Sequence, residues 1–205
     1  PHHTFYGFRY IKIEGLEGEL RLEDFEAIPI CSGFDRIGGF SSSNPIINQL
    51  QHNIEWGFWG NFVDVPTDCP QRDERLGWTG DAQVFFRTAS FLGKVDNFFN
   101  KWLSDLKADQ RHDGRVPRII PDTYSNGDYR TAATGWADAS VIIPWNHYMA
   151  FGNVNILEQQ YNSMKGWVDY MVSQSKDRGW LWNNGSHYGD WLFYSLSNDP
   201  GGQSA

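Results

Sequence analysis

Cysteine is almost missing from this chain of 205 residues: Cys31 and Cys69 are the only two. That excludes a disulfide framework, and the pair lacks metal-type spacing, so both read as free thiols. No apolar run approaches the roughly 20 residues that a membrane-spanning helix needs. Basic runs are missing too. Lys and Arg number 17 against 25 Asp and Glu, a net charge of −8 that argues against nucleic acid, whose binding depends on Lys and Arg contacts to phosphate. No initiator Met and no signal peptide precede Pro1-His2-His3. The expectation is therefore that the natural N-terminus lies upstream, with the cytoplasm as the default location and secretion left open. No close internal repeat is evident, and nothing in the composition implies a cofactor.

Aromatic residues, by contrast, make up 16% of the chain with ten Trp, more flat side chains than a core requires. The densest chemistry lies in Asp68-Cys69-Pro70-Gln71-Arg72-Asp73-Glu74-Arg75-Leu76-Gly77-Trp78-Thr79-Gly80-Asp81, which holds four carboxylates, two arginines and one indole. Pro70, Gly77 and Gly80 shape its backbone. Carboxylates and Arg match sugar hydroxyls, Trp stacks on the apolar face of a sugar ring, and an acid held beside an indole suits glycosidic-bond chemistry. Two other readings stand beside this one. The cluster could be a solvated salt-bridge network, or a calcium site lacking the ligand alternation of an EF-hand.

In chain order, Thr4 to Ile13, Glu19 to Leu22 and Phe25 to Cys31 read as strands joined by turns such as Glu14-Gly15-Leu16-Glu17-Gly18. Residues 1–35 are thus expected to be the closing strands of a β-sandwich, with 36–205 a separate helical unit. Ser43-Asn44-Pro45 then gives an N-cap and a proline at the first helical position. The periodicity predicts helices over 45–62, 81–92, 95–108, 136–151 and 155–175. Their expected inward stripes include Ile47, Leu50, Ile54 and Phe58 in the first, Val141, Ile142, Trp145 and Met149 in the fourth, and Leu157, Tyr161, Met164, Val168 and Met171 in the fifth. Trp102, Trp145 and Trp167 are assigned to packing. Pro144 is expected to kink the fourth helix.

The connections alternate between long (63–80, 109–135, 176 onward) and short (93–94, 152–154). Short links make antiparallel neighbours, so every long connection should emerge at the same end, bringing Glu74, Asp113 and Asp190 to one face. The expected class is mainly α: part of an α/α toroid of helical hairpins, with a plain up-and-down bundle as the alternative.

The stretch Asp68 to Asp81 resembles the signature loop of the inverting α-L-rhamnosidases of glycoside hydrolase family 78, as do Tyr6-Gly-Phe-Arg-Tyr10, Gly135-Trp-Ala-Asp138 and Tyr188-Gly-Asp-Trp191. The resemblance implies a six-hairpin α/α toroid, truncated here, acting on rhamnose-containing glycosides without a cofactor or metal. It implies Glu74 as the general acid, Asp68, Arg72 and Asp81 as ligands of sugar hydroxyls, and Trp78, Trp136 and Trp191 as pocket walls. Asp138 and Asp190 are further substrate-binding candidates, although an Asp at a helix start is also a common cap. The family's general base is expected on a later loop, outside these residues, so the segment alone is expected to be inactive. The alternatives are a six-hairpin glycosidase for another sugar and a non-catalytic carbohydrate-binding module.

Overall fold

Five helices begin and end where local chemistry or a neighbouring loop makes them. The computed structural model describes residues 5–124 and 132–189. Helix α1, Pro45–Asn61, starts as the sequence predicts: the Asn44 side chain accepts the Ile46 amide at 2.9 Å, and Pro45 occupies the first turn. A two-residue hairpin follows, with β1 (Phe62–Val63) antiparallel to β2 (Val65–Pro66) around Asp64 at φ 65°. Helix α2, Thr79–Leu92, begins two residues earlier than its periodicity predicts. Its cap comes from another loop, because the Arg118 carbonyl accepts both the Thr79 amide at 2.9 Å and the Thr79 hydroxyl at 3.0 Å. Helix α3 is Asp96–Asp109.

Helix α4, Ala139–Phe151, starts later than predicted because Thr134–Asp138 forms a turn. Gly135 takes φ +80° there, and its amide donates to the Asp138 carboxylate at 2.8 Å. At the far end Gly152, at φ +69°, donates to the Tyr148 carbonyl and stops the helix. Helix α5 is Asn155–Ser175, extended by a 3-10 turn at Lys176–Arg178. Helices α4 and α5 pack as one hairpin, α2 and α3 are joined by a short link and meet through Phe86 and Phe99, and α4 packs against α2, α3 and α5.

Among the described residues, 5–35 form no β-ladder; their regular structure is a 3-10 turn at Leu22–Asp24. Tyr6, Phe8 and Tyr10 are exposed. Alternating aromatic residues favour a pleated conformation, but a ladder needs a second row of N–H and C=O groups, and the described residues provide none beside them. The segment meets the helical unit where the Ser32 amide donates to the Phe62 carbonyl at 3.1 Å, and just beyond it Arg36 bridges to Gly93 and pairs with buried Glu55 of α1.

The core is aromatic. Phe58, Phe62, Phe86, Phe99 and Trp102 are buried, with Phe62 stacked on Phe98 at 5.1 Å and Phe86 edge-on to Phe99 at 4.7 Å. Trp102 and Trp167 pack as expected, but Trp145 is 52% exposed. The inward stripes of α4 and α5 are also corrected. Helix α4 buries Ala139, Ser140, Ile143, Pro144 and His147 and leaves Ile142 and Met149 exposed. Helix α5 buries Ile156, Gln160, Ser163 and Trp167 and leaves Tyr161 and Val168 exposed. Small residues permit close approach of α4, whereas an apolar surface on several sides gives periodicity no single face to select. In α1 only Glu55 and Phe58 are buried, and Ile47 and Leu50 face outward.

His147 generates a test. Its ring is fully enclosed, packed on Phe151 at 5.0 Å, and Nε2 lies 3.2 Å from the Asp96 carbonyl while Nδ1 has no partner. Burial holds its pKa below the ordinary 6.5, so the folded state keeps it neutral. The unfolded chain takes up the proton first, and stability therefore falls as pH drops below 6.5, by at most about 1.4 kcal/mol per pH unit from this group. Thermal melts between pH 7.5 and 5 should show this slope, and His147→Gln should flatten it.

Candidate active site

The long connections supply one wall after another of a single cleft of about 1330 Å³. Asp68, Arg72, Glu74 and Trp78 come from the first, Arg115, Arg118 and Trp136 from the second, and Trp182 and Tyr188 from the third. Lys94, on a short link, lines a different cleft with Asp35 and Asp96. The alternation of loop lengths therefore brings Glu74 together with the second and third loops. Asp190 and Trp191 lie outside the described residues.

The acidic loop is closed at its base by Asp68, whose amide donates to the Leu76 carbonyl at 3.1 Å and whose Oδ1 accepts the Leu76 amide at 2.9 Å. Just beyond, the Gly77 carbonyl accepts the Ile120 amide at 2.8 Å. A Cβ on Gly77 would stand 2.0 Å from the Ile120 carbonyl oxygen, so only glycine permits this crossing. Within the loop, Arg72 and Glu74 pair at 2.6 Å. A hydrogen bond with Cys69 and the charge of Glu74 hold the Arg72 guanidinium still more firmly protonated. One ligand-type atom each of Asp68, Cys69 and Glu74 lies within 4.8 Å of the others. A hard cation such as calcium prefers all-oxygen ligands, which the Cys69 thiol does not offer.

Another part of the lining is aromatic. Tyr188 lies 5.9 Å from Trp78 and 4.7 Å from Trp136, and the Arg118 guanidinium covers its ring at 4.5 Å. Gly80 lets Trp136 sit against the first turn of α2, since a Cβ there would be 2.9 Å from the indole. Trp78 and Trp136 thus line one cleft, each in ring contact with Tyr188. Asp138 does not line the cleft. Its oxygens accept the Gly135 amide and the Trp167 indole N–H, each at 2.8 Å, so it holds the turn that carries Trp136.

Tyr188 was missed within a motif from which only its neighbours were assigned. Arg118 was missed as well, although it is 3% exposed and donates to the Ser186 carbonyl. The available signal was a lone charge inside the apolar run Val116-Pro117-Arg118-Ile119-Ile120. His187 meets the Thr134 hydroxyl at 3.1 Å through Nδ1 and the Asn184 carbonyl at 3.0 Å through Nε2.

Asp81 faces the cleft from the first turn of α2. Desolvation raises its pKa above 3.8, against the pull of its backbone hydrogen bond, and the charges of Asp68 and Glu74 raise it further. Its side chain still reaches water, so the effect is screened. A raised carboxyl pKa gives stability that is present below pH 3.8 and lost as pH rises through the folded-state value. Asp81→Asn should therefore raise the Tm at pH 7 by less than the ~2–4 °C that 1 kcal/mol gives in a domain of this size. The gain should vanish at pH 3.5 in paired thermal melts.

Comparison with known proteins follows this geometry closely. The family model for the bacterial alpha-L-rhamnosidase 6 hairpin glycosidase domain matches residues 35–205. An alpha-L-rhamnosidase of Formosa agariphila is 42% identical over 194 residues, which are 94% of this chain and 20% of that protein. One from Alteromonas sp. (strain LOR) is 41% identical over 197 residues, again 94% and 20%. Among solved structures, Streptomyces avermitilis alpha-L-rhamnosidase complexed with L-rhamnose superposes with a TM-score of 0.72 at 40% identity, covering 78% of this chain and 15% of the other. The alpha-L-rhamnosidase from Dictyoglumus thermophilum gives 0.77 at 34% identity, covering 82% and 19%. The chain spans about a fifth of the length of the relatives it matches. With its mainly helical hairpin architecture and its acidic loop, the chain belongs to the six-hairpin glycosidase family of the bacterial alpha-L-rhamnosidases.

Proposed function

We propose that this chain supplies the acid side of an inverting α-L-rhamnosidase site, with Glu74 as general acid. The observation that carries the reading is the juxtaposition of Glu74, close to Asp68, with Trp78, Tyr188 and Trp136 around one cleft. The aromatic wall takes the apolar face of the sugar. Asp68, Arg72 and Asp81 hold hydroxyls, and Asp190 and Trp191, outside the described residues, are assigned to sugar binding by the family resemblance alone. Glu74 gives its proton to the glycosidic oxygen as the bond breaks, while a base on a later part of the whole protein takes a proton from the attacking water. Asp138 acts one step back, by holding Trp136.

Asp68 is a poor base for that water. Its carboxylate lies within 4.8 Å of Glu74, less than the ~6.5–9.5 Å that leaves room for water in inverting enzymes. That short separation is nearer the ~5–5.5 Å of retaining enzymes, which defines a second reading with Asp68 as nucleophile. Against it, the two carboxylates belong to one tight loop, and the Leu76 amide already engages Asp68. The anomer first released, followed by NMR, separates the readings: inversion leaves Asp68 as a hydroxyl ligand, and retention makes it the nucleophile.

Residues 1–35 are read as the closing strands of a β-sandwich. Support comes from the family match, which begins at residue 35 although the relatives align over 94% of the chain. Exposed apolar side chains on the helices, with Val84 at 79%, Leu50 at 57% and Met149 at 64%, support further helices completing the toroid. Residues 1–205 alone should therefore not turn over an aryl rhamnoside, whereas a chain extended through the remaining helices should; equal rates would place the base within these residues. In the extended chain, Glu74→Gln should lower kcat about 10²–10⁴-fold on rhamnosides with poor leaving groups and far less on activated aryl rhamnosides, which depart without protonation. Equal loss on both, with folding intact, would remove Glu74 from the acid role.

A further inference from the structure

The Tyr6-Gly-Phe-Arg-Tyr10 motif takes no part in the cleft, yet Gly7 within it and Phe5 just before it touch the acidic loop at three points. Arg75, the residue after Glu74, donates from Nη1 to the Phe5 carbonyl at 2.7 Å. Its guanidinium also lies over the Phe5 ring, 5.2 Å from the centroid. Gly7 passes so near the loop that a Cβ would stand 2.8 Å from the Pro70 carbonyl oxygen and 3.0 Å from the Gln71 Cα. Arg75 itself sits at φ 39°, a left-handed conformation that a non-glycine residue keeps only when its surroundings hold it there.

From these contacts we infer that residues 5–7 brace the acidic loop, so that Phe5, Gly7 and Arg75 are positioning residues for Glu74. The loop has two supports. Its base is closed by the Asp68–Leu76 pair, which leaves residues 70–75 spanning outward with few backbone bonds of their own. The brace acts on that outer part: Gly7 bears on Pro70 and Gln71 at the outgoing limb, and Phe5 holds Arg75 at the returning limb. Glu74 is set between them. A shift of about 1 Å in a reacting group costs on the order of 10²-fold in rate, so a brace at both limbs matters to catalysis while adding little to the stability of the helices. The segment that supplies it precedes the part matched by the family model, which starts at residue 35. The position of the acid therefore depends on residues outside the helical unit that carries it.

The inference rests on Glu74 being the general acid, and its test keeps the two apart. In the extended chain, Phe5→Ala, Gly7→Ala, Arg75→Met and the Phe5→Ala/Arg75→Met double variant are assayed beside Glu74→Gln on a poor-leaving-group rhamnoside and an activated aryl rhamnoside. Each single variant should lower kcat about 10–100-fold on the first substrate, spare most of the second, and leave KM and Tm nearly unchanged. Arg75→Lys, which keeps a cation over the ring and a donor toward the Phe5 carbonyl, should recover part of the loss. The double variant should be no worse than Arg75→Met alone, because Arg75→Met already removes the ring contact that Phe5→Ala removes, and the carbonyl contact besides. Additive losses, a change confined to KM, or equal losses on both substrates would overturn the brace. If Glu74→Gln discriminates between the substrates and the brace variants do not, the brace fails and the acid stands. If Glu74→Gln slows both equally, the acid assignment fails and this inference falls with it.

Discussion

The double hydrogen bond between Asp68 and Leu76 is the constraint on which the site depends. It uses the amide and carboxylate of one residue to satisfy both backbone groups of another, so a charged loop closes without a strand or helix of its own. From that closure the chain leaves in a fixed direction. Gly77 crosses under Ile120, Trp78 pairs with Ile119, and Thr79 docks on the Arg118 carbonyl to start α2. The helix start is thus set by the second loop, and Asp81 and Gly80 face the cleft because of it.

The loops hold one another as well as resting on the helices. Arg118 joins the three long connections: its carbonyl caps α2, its guanidinium donates to Ser186, and its plane covers Tyr188, which meets both cleft tryptophans. Buried Arg is costly unless its charge is met; the Ser186 carbonyl and the Tyr188 face meet part of it, while Nε has no partner among the described residues. His187 ties the third loop back to Thr134 at the turn before α4. Each loop is irregular alone and fixed by its neighbours, which explains why such length is retained in a helical unit.

What the sequence made legible were features with local causes. Asn44-Pro45 and Gly152 mark helix ends through their own backbone chemistry, and the alternation of loop lengths brought Glu74 together with Trp136 and Tyr188 because helix direction follows from link length. What stayed illegible had causes elsewhere in the chain. The start of α2 depends on a carbonyl 39 residues away, and the packed faces of α4 and α5 depend on small and polar residues, Ser140, Ser163 and Gln160, that hydrophobic periodicity passes over. Asp138 carried the right residue type in a matching motif, but two donors from its own surroundings claim it. The aromatic alternation near the N-terminus was real, yet alternation describes one strand and a sheet needs two.

The crowding of acids explains where this unit is unstable and why that is tolerated. Asp68, Glu74 and Asp81 share one wall, and their mutual repulsion adds to the desolvation that raises Asp81. Arg72 offsets part of it through Glu74, while the neighbouring arginines are committed elsewhere, Arg75 to Phe5 and Arg118 to Ser186 and Tyr188. Beneath this wall lies a core that contains Phe58, Phe62, Phe86, Phe99 and Trp102 in edge-on contact, with each ring adding about 0.5–1.5 kcal/mol per aromatic pair beyond its buried area. Repulsion at the mouth is local and partly screened by water, whereas the aromatic core is dry and shared by β1, α1, α2 and α3. The core therefore fixes the fold and leaves the charged wall free to be arranged for its ligand rather than for stability.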